Sequence, residues 1–389
     1  MDEREFTDSK TGKLVWEQNG MYYRFEPNHL PFKEFMPSQN LINSLLNTAL
    51  VLGRLDGQTQ KLSPEEVTLL RMPFILKEAT LSSEIEGTRS TLTDVYKDEK
   101  QKETDVQKAL DNEEIRNHAQ ALEYGLKNIN QEITEEIIKE MHKILLQGVR
   151  GSDKQPGEYK ITQNAIGKRQ DTLETAKFVP ASPQNTPFLM KNFVEFVNND
   201  KTLNALYRIA IAHYQFEAVH PFRDGNGRIG RLLIMLILCK EKILCQPLLY
   251  ISEFFNRNRS TYTDSLFDVS SKNKIEEWIL FFLKALEVQA NSSLQLIQEL
   301  ESYKKYLQEA MAGVSQSPKM HLVVELIFKN PFITIKDVAD EIGMTLPGAS
   351  NLVHKLEQKG VLKEITGKKT RKLFVAQRIL DIMESKQKL

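Results

Sequence analysis

The chain has 389 residues, more than one ordinary domain holds, and its 41% hydrophobic and 27% charged residues are the balance of a folded protein. Its 52 Lys+Arg cancel its 52 Asp+Glu, which excludes a global field that would draw nucleic acid or an anionic membrane. Two cysteines, Cys239 and Cys245, exclude a disulfide framework or a cysteine metal cluster; a charged, polar start and short apolar runs point to a reducing, cytoplasmic setting with no membrane anchor.

Pro and Gly are sparse and long helical patterns dominate, so the class is mainly α. Residues 1–36 read as an N-terminal arm. In it Asn19-Gly20 lies between Val15-Trp16 and the run 21–25, a hairpin signal. Helical spacing sets in near Pro37 with Leu41, Ile42, Leu45, Leu46, Ala49, Leu50 and Leu52, and Asp56-Gly57 is expected to end it. Ser63-Pro64-Glu65-Glu66 then opens a helix with an N-cap, a first-turn proline and acidic residues, and Pro73 is a candidate kink. The stretch 78–88 reads as a helix ending at Gly87. Glu86 is badly placed there, because a helix C-terminus disfavours negative charge, so a cationic partner is expected.

Residues 88–130 hold acidic-basic helices, with 98–105 expected to be solvated. Thr134 caps the next helix, on which His142 reads as structural. Between 148 and 183 the helical period lapses. Short extended runs around glycines, including Gln163-Asn164-Ala165-Ile166-Gly167-Lys168-Arg169, predict a β-hairpin. Another helix spans 186–199.

The densest chemistry follows, in His220-Pro221-Phe222-Arg223-Asp224-Gly225-Asn226-Gly227-Arg228-Ile229-Gly230-Arg231. Leu206, Ile209, Ala210, His213 and Phe216 before it, and the apolar run 232–239 after it, make a helix, a tight loop and a second helix. Gly225 and Gly227 permit positive φ and close backbone approach. Free N–H groups at the start of the second helix suit an anion. Arg228 and Arg231 lie three apart on that helix, so they share a face and can fork onto phosphate oxygens. Asp224 suits Mg²⁺ beside them, and His220 suits proton abstraction near neutrality.

This stretch resembles the motif of Fic-domain proteins, His-x-Phe-x-(Asp/Glu)-Gly-Asn-Gly-Arg-x-x-Arg, and matches every fixed position. The resemblance implies a Fic helical fold with a small β-hairpin flap and transfer of AMP from ATP to a Ser, Thr or Tyr hydroxyl of a protein. It makes His220 the general base, Asp224 the Mg²⁺ ligand, Gly225, Asn226 and Gly227 the phosphate cradle, and Arg228 and Arg231 the grip on the leaving pyrophosphate. Ile229 and Gly230 fall inside the same nucleotide-binding stretch, and Phe222 would be the buried anchor. Residues 166–169, Ile166, Gly167, Lys168 and Arg169, resemble the flap that lines the nucleotide and docks the target protein as an added strand. Lys160, Ala165 and Lys168-Arg169 depart from the usual flap pattern. Ser82, Glu86 and Gly87 resemble the (Ser/Thr)-x-x-x-Glu-(Gly/Asn) motif of self-inhibited members, which implies that Glu86 pairs with Arg231 and obstructs ATP.

Beyond the motif, residues 251–262 are similar to the family's segment near the adenosine, with Asn258 and Tyr262 as candidates. A closing helix pair is expected over 275–310. From about residue 315 a linker, three helices and a basic-tipped hairpin resemble a winged helix-turn-helix. Residues 319–389 hold thirteen Lys/Arg and eight Asp/Glu, a net +5 that permits phosphate contacts. Ser350, Asn351, His354 and Lys355 would face a DNA groove; the other reading is a protein-interaction or homodimer-docking module. The organisation expected is an arm (1–36), an N-terminal helical region with the inhibitory helix (37–130), a catalytic core (131–290), a helical linker (291–318) and a winged helix (319–389). Two rival readings stand beside the transferase: a DNA-binding regulator whose Fic fold senses nucleotide, and a Fic enzyme moving UMP or phosphate.

Overall fold

The computed structural model describes residues 1–18, 20–32, 35–129, 132–168, 170–312 and 319–385. Two strands, β1 (Gly12–Glu17) and β2 (Tyr22–Pro27), pair antiparallel from Gly12↔Pro27 to Glu17↔Tyr22, so the expected N-terminal hairpin forms. Asn19 of its turn lies outside the described residues. The hairpin straps the body: Phe25 N–H donates to Val179 O at 2.8 Å, and the Thr11 and Tyr214 hydroxyls bond at 2.9 Å.

Helix α1 (Gln39–Thr59) runs through Asp56-Gly57, where a stop was expected. Leu52, Leu55 and Thr59 are buried, and the helix packs along α11 (Ile275–Ala312). That burial outweighs the roughly 1 kcal/mol a mid-helix glycine costs. α11 likewise replaces the expected closing pair with one unbroken helix. No Gly or Pro interrupts it, and Ser292 and Ser293 are buried at its middle.

Helix α2 (Pro64–Ile85) opens with a capping box: Ser63 Oγ accepts from Glu66 N–H (3.2 Å) and Glu66 Oε2 from Ser63 N–H (3.0 Å). Pro73 stays within it. Glu86 is its C-cap and Gly87 follows at φ +98°, a conformation glycine adopts without strain. Helix α3 (Leu92–Lys100) takes up the first three residues of the stretch expected to be solvated. Asp98 on it is buried, because Arg116 from α4 (Val106–Asn128) and the Glu103 N–H satisfy its carboxylate.

Helices α5 (Glu135–Leu145) and α6 (Thr186–Asn199) flank the central pair, α7 (Ala205–Val219) and α8 (Asn226–Lys240). Leu232 to Leu238 are buried without exception, the pattern of a helix enclosed on all sides. The flap between α5 and α6 carries the expected hairpin in reduced form. One antiparallel bridge closes it, Ile166 N–H to Phe178 O at 2.8 Å and the reverse at 3.1 Å. Helices α9 (Ser252–Arg257) and α10 (Arg259–Lys272) complete the body.

The C-terminal unit is a winged helix: α12 (Met320–Lys329), β3 (Phe332–Thr334), α13 (Ile335–Ile342), α14 (Leu346–Gln358), β4 (Lys363–Glu364), β5 (Leu373–Val375) and α15 (Gln377–Glu384), with antiparallel strand order β3-β5-β4. It shares one continuous apolar core with the body. α12 packs on α2 and α11, and Asn330 Nδ2 donates to Tyr96 O and a Glu99 carboxylate oxygen on α3. Among the described residues no helix is long and apolar enough to cross a membrane.

Candidate active site

The motif begins where α7 ends. His220 caps α7 in the left-handed region (φ 48°, ψ 61°) with its N–H still donating to Phe216 O at 2.8 Å. Asn226 staples the loop to itself, its Oδ1 accepting from Phe222 N–H and its Nδ2 donating to Phe222 O, both at 2.8 Å. Asn164 of the flap donates from Nδ2 to His220 O (3.0 Å) and Phe222 O (2.8 Å). Asn164 is held in turn by the Lys160 amine, which also donates to Val219 O, both at 2.9 Å. Burial pushes that amine well below the usual lysine range.

Phe222 is fully buried beneath His142, their rings parallel at 3.8 Å. His142 Nδ1 accepts from Gly157 N–H (2.8 Å), so the proton lies on Nε2, which donates to Asp224 O (2.9 Å). Burial pulls this imidazole down to about 4, and it braces the loop in its neutral form.

At the far end of the motif, Arg231 is fully buried and reaches α2. Its Nε donates to Ser82 Oγ (2.8 Å), and its Nη2 donates to Ser82 O (2.9 Å) and Glu86 Oε1 (2.8 Å). Burial opposes ionisation of Glu86, but the Arg231 guanidinium overrides it and holds the carboxyl below the usual carboxylate range. A Cβ on Gly227 would strike Glu86 Oε1. The Glu86 carboxylate thus lies over the first turn of α8, whose N–H groups lack intrahelical partners.

Arg228, also buried, faces Glu114 of α4 (Nη1 to Oε2, 3.7 Å) and Asp224 (Nη2 to Oδ1, 3.5 Å). Glu114 Oε2 further accepts from Thr88 Oγ1 (2.8 Å), just past Gly87, and from Arg150 Nη2 (3.4 Å). The turn that carries Glu86 is in this way tied to α4.

These groups surround a cavity of about 490 Å³. A larger cleft of about 960 Å³ between α2 and α12 carries no comparable set of reactive side chains, so the smaller one is the candidate site. Asp224 stands at the rim, one-third exposed, with Oδ1 accepting from Gly225 N–H at 2.6 Å. One carboxylate so placed fits Mg²⁺, which takes its remaining ligands from water and phosphate. Among the described residues no three His, Cys, Asp or Glu side chains cluster to hold a metal by themselves.

Three family profiles match the chain: the Fic/DOC family over residues 132–238, the Fic/DOC family N-terminal region over 43–127, and a winged helix-turn-helix DNA-binding unit over 320–363. Over the first two of these stretches the chain belongs to the Fic/DOC family. It is 27% identical over 301 residues to a probable protein adenylyltransferase of Aquifex aeolicus, covering 76% of this chain and 83% of that one. To a protein adenylyltransferase of Caenorhabditis elegans it is 36% identical over 112 residues, 28% of this chain and a fifth of the nematode protein. A crystal structure of a Fic family protein from Desulfovibrio desulfuricans shares the fold at TM-score 0.57 and 19% identity, over 91% of this chain and 99% of that one.

Within this Fic core the cavity gathers His220, Asp224, Gly225, Asn226, Gly227 and Arg231 of the motif, Ile166 and Gly167 of the flap, and Glu86 and Tyr262 from outside it. Four expected residues stand back from it. Lys168 turns outward, its N–H bonded to Asp171. Arg228 lies behind the loop, Ile229 is a core side chain, and Gly230 packs against Glu217. Arg169 lies outside the described residues. Asn258 does not line the cavity either: it sits at the α9–α10 junction, its Nδ2 on Phe254 O. Tyr262 is buried, and its hydroxyl donates to His213 Nε2 (2.7 Å), while His213 Nδ1–H donates to Gly230 O (3.2 Å). Sequence reasoning missed Glu217, Arg223, Lys177 and Arg259 on the cavity wall, along with Asn164 and Glu114 behind it. Arg223 and Asn164 stand inside the motif and flap stretches set out above without a role of their own, and Glu217 left a trace in being three residues before His220, one turn below it.

Proposed function

We propose that this protein is an adenylyltransferase that moves AMP from ATP to a hydroxyl of a protein, itself included, and that Glu86 restrains it. One observation carries the reading: a solvent-reachable imidazole and an arginine-lined helix N-terminus share one cavity, and a carboxylate fills the anion end. ATP would lay its β- and γ-phosphates over the first turn of α8, against Arg231 and the Gly225–Gly227 backbone. Arg228 would steady the same turn from behind.

The hydroxyl oxygen attacks the α-phosphorus as His220 accepts its proton. The bond from the α-phosphorus to the bridging oxygen breaks, and pyrophosphate leaves toward Arg231. Positioning and charge neutralisation supply most of such a rate. Bound through Asp224, Mg²⁺ would add charge to neutralise the phosphates. Target docking goes to the flap, whose backbone could take an added strand. Glu86 stands where a phosphate must lie, so ATP has to displace an Arg–carboxylate bond to sit productively.

The test offers the Glu86→Gly protein α-labelled ATP, γ-labelled ATP or labelled UTP with Mg²⁺. Label from the α-phosphate alone, about 10-fold or more above wild type, is the expected result. Transfer of the γ-label or of UMP instead would reassign the group, and equal labelling of wild type removes the restraint.

The winged helix carries its own proposal, duplex DNA binding. Lys368, Lys369 and Arg371 are exposed on the wing, and Asn351 and Lys355 are exposed on α14. Full-length protein should lose duplex affinity steeply between low and physiological salt. Salt-independent or absent binding leaves the unit as a protein-docking module.

A further inference from the structure

Glu217 is half-buried on the last turn of α7, one turn below His220, and has no part in the transfer chemistry above. Its Oε2 lies 3.6 Å from His220 Nδ1. Both His220 Nδ1 and Glu217 Oε1 are buried without a hydrogen-bond partner. Glu217 Oε2 thus faces His220 Nδ1 just beyond bonding range, while the other carboxylate oxygen, Oε1, lies towards Gly230 without a partner. A small side-chain torsion would close that gap into a hydrogen bond.

Two further features leave the pair little freedom. The backbone of His220 is pinned on both sides, by Phe216 O at its N–H and by Asn164 Nδ2 at its carbonyl, so only the side-chain torsions remain. A Cβ on Gly230 would collide with Glu217 Oε1, so this motif glycine provides the space in which the carboxylate sits. Burial alone would protonate Glu217; His220, His213 and Arg231 outweigh it and hold the carboxyl below its usual range.

We infer that Glu217 is the positioning residue of the base: its carboxylate holds His220 with Nδ1–H turned inward, so that the unprotonated Nε2 faces the cavity and takes the hydroxyl proton. This rests on the transfer reading above for its role, though not for its geometry. An imidazole in the opposite tautomer would present N–H to the incoming hydroxyl and could not accept its proton. The arrangement follows the logic by which a buried carboxylate orients and stabilises a catalytic imidazole. Here the carboxylate comes from the same helix as the base. Other charged groups facing the pair are Glu86 from α2, Arg231 from α8, Arg259 from α10, Arg223 and Asp224 from the loop, and Lys177 beside the flap.

Two measurements test the inference. In the Glu86→Gly chain, Glu217→Gln should lower kcat about 10- to 100-fold with KM for ATP nearly unchanged. The acidic limb of its rate profile should move to lower pH, because the imidazolium loses its counter-charge. Gly230→Ala, which displaces the carboxylate without removing it, should lower kcat the same way. Unchanged kcat and superimposed pH profiles in both variants overturn the proposal. The second measurement needs no transferase activity. Long-range ¹H–¹⁵N spectra of wild type, assigned with His220→Gln, should place the neutral ring's proton on Nδ1. A proton on Nε2 sinks the inference even if the protein transfers AMP. A proton on Nδ1 in a protein that transfers nothing supports the geometry and rejects the transfer reading instead.

Discussion

At the anion end of the motif, Arg231 spends its donors on α2, reaching Ser82 Oγ, Ser82 O and Glu86 Oε1. At the other end, the backbone of His220 is held by Phe216 and Asn164, and its Nδ1 stands 3.6 Å from Glu217 Oε2 without a closed hydrogen bond. Neutral, fully directed bonds from His142, Asn164 and Asn226 brace the loop around it. The anion end is an ion pair over a helix N-terminus, while at the other end the loop backbone is fixed and the imidazole stands just outside bonding range of Glu217. If Glu86 restrains transfer as proposed, the site is assembled in advance and a single displaceable carboxylate switches it.

The largest break in this comparison is expected from His220→Ala. In the Glu86→Gly chain it should cut label transfer by about 1000-fold, roughly 4 kcal/mol of barrier. Urea unfolding should stay close to the parent, because the loop around His220 is held through backbone atoms. Retained transfer would move the base elsewhere.

Acid should attack the base end first. The folded pKa of His142 is depressed from 6.5 to about 4, so its contribution is present above about 6.5 and is lost as pH falls through about 4. A shift of that size corresponds to at most about 3 kcal/mol. Unfolding free energies at several pH values between 7 and 4 should fall more steeply for wild type than for His142→Gln. Parallel curves would reject the bracing role.

Asn164→Ala tests the same scaffold without changing pH. It removes one hydrogen bond each from the Lys160 amine, His220 O and Phe222 O, so about 2 kcal/mol of stability should go, and kcat of the Glu86→Gly chain should fall with it. Activity surviving that loss of stability would mean the loop holds its shape without the flap. The smallest effect is expected at the anion end. Glu86→Gly should tighten ATP binding by about 10-fold in calorimetry, with thermal stability little altered. Weaker binding would make Glu86 a ligand of the nucleotide rather than its competitor.

Several residues set out from sequence came together as expected. His220, Asp224, Gly225, Gly227 and Arg231 were legible because their chemistry is contiguous: a break at His-Pro, two flexible glycines and a helix start fall within twelve residues. The misplaced acid at the end of α2 was legible for a related reason, since Glu86 violates a local rule that only a distant cation could excuse. Arg228 lies elsewhere than its spacing suggested. Spacing put it beside Arg231 on one face, but burial against Glu114 turned it behind the loop. Asp56-Gly57 failed to stop α1, and nothing split α11, because the two helices bury each other's long faces.

Alone, the sequence determined the helical class, the winged unit and the loop that carries the chemistry, for each is written in short-range periodicity, capping residues and turn residues. Only tertiary structure decided which groups touch that loop. Ser82 and Glu86 meet Arg231 from 149 and 145 residues away, His142 meets Asp224 across 82, and Asn164 meets His220 across 56. Such contacts are selected by how the apolar faces of α2, α5, α7 and α8 pack in three dimensions, and local propensity holds no record of that choice.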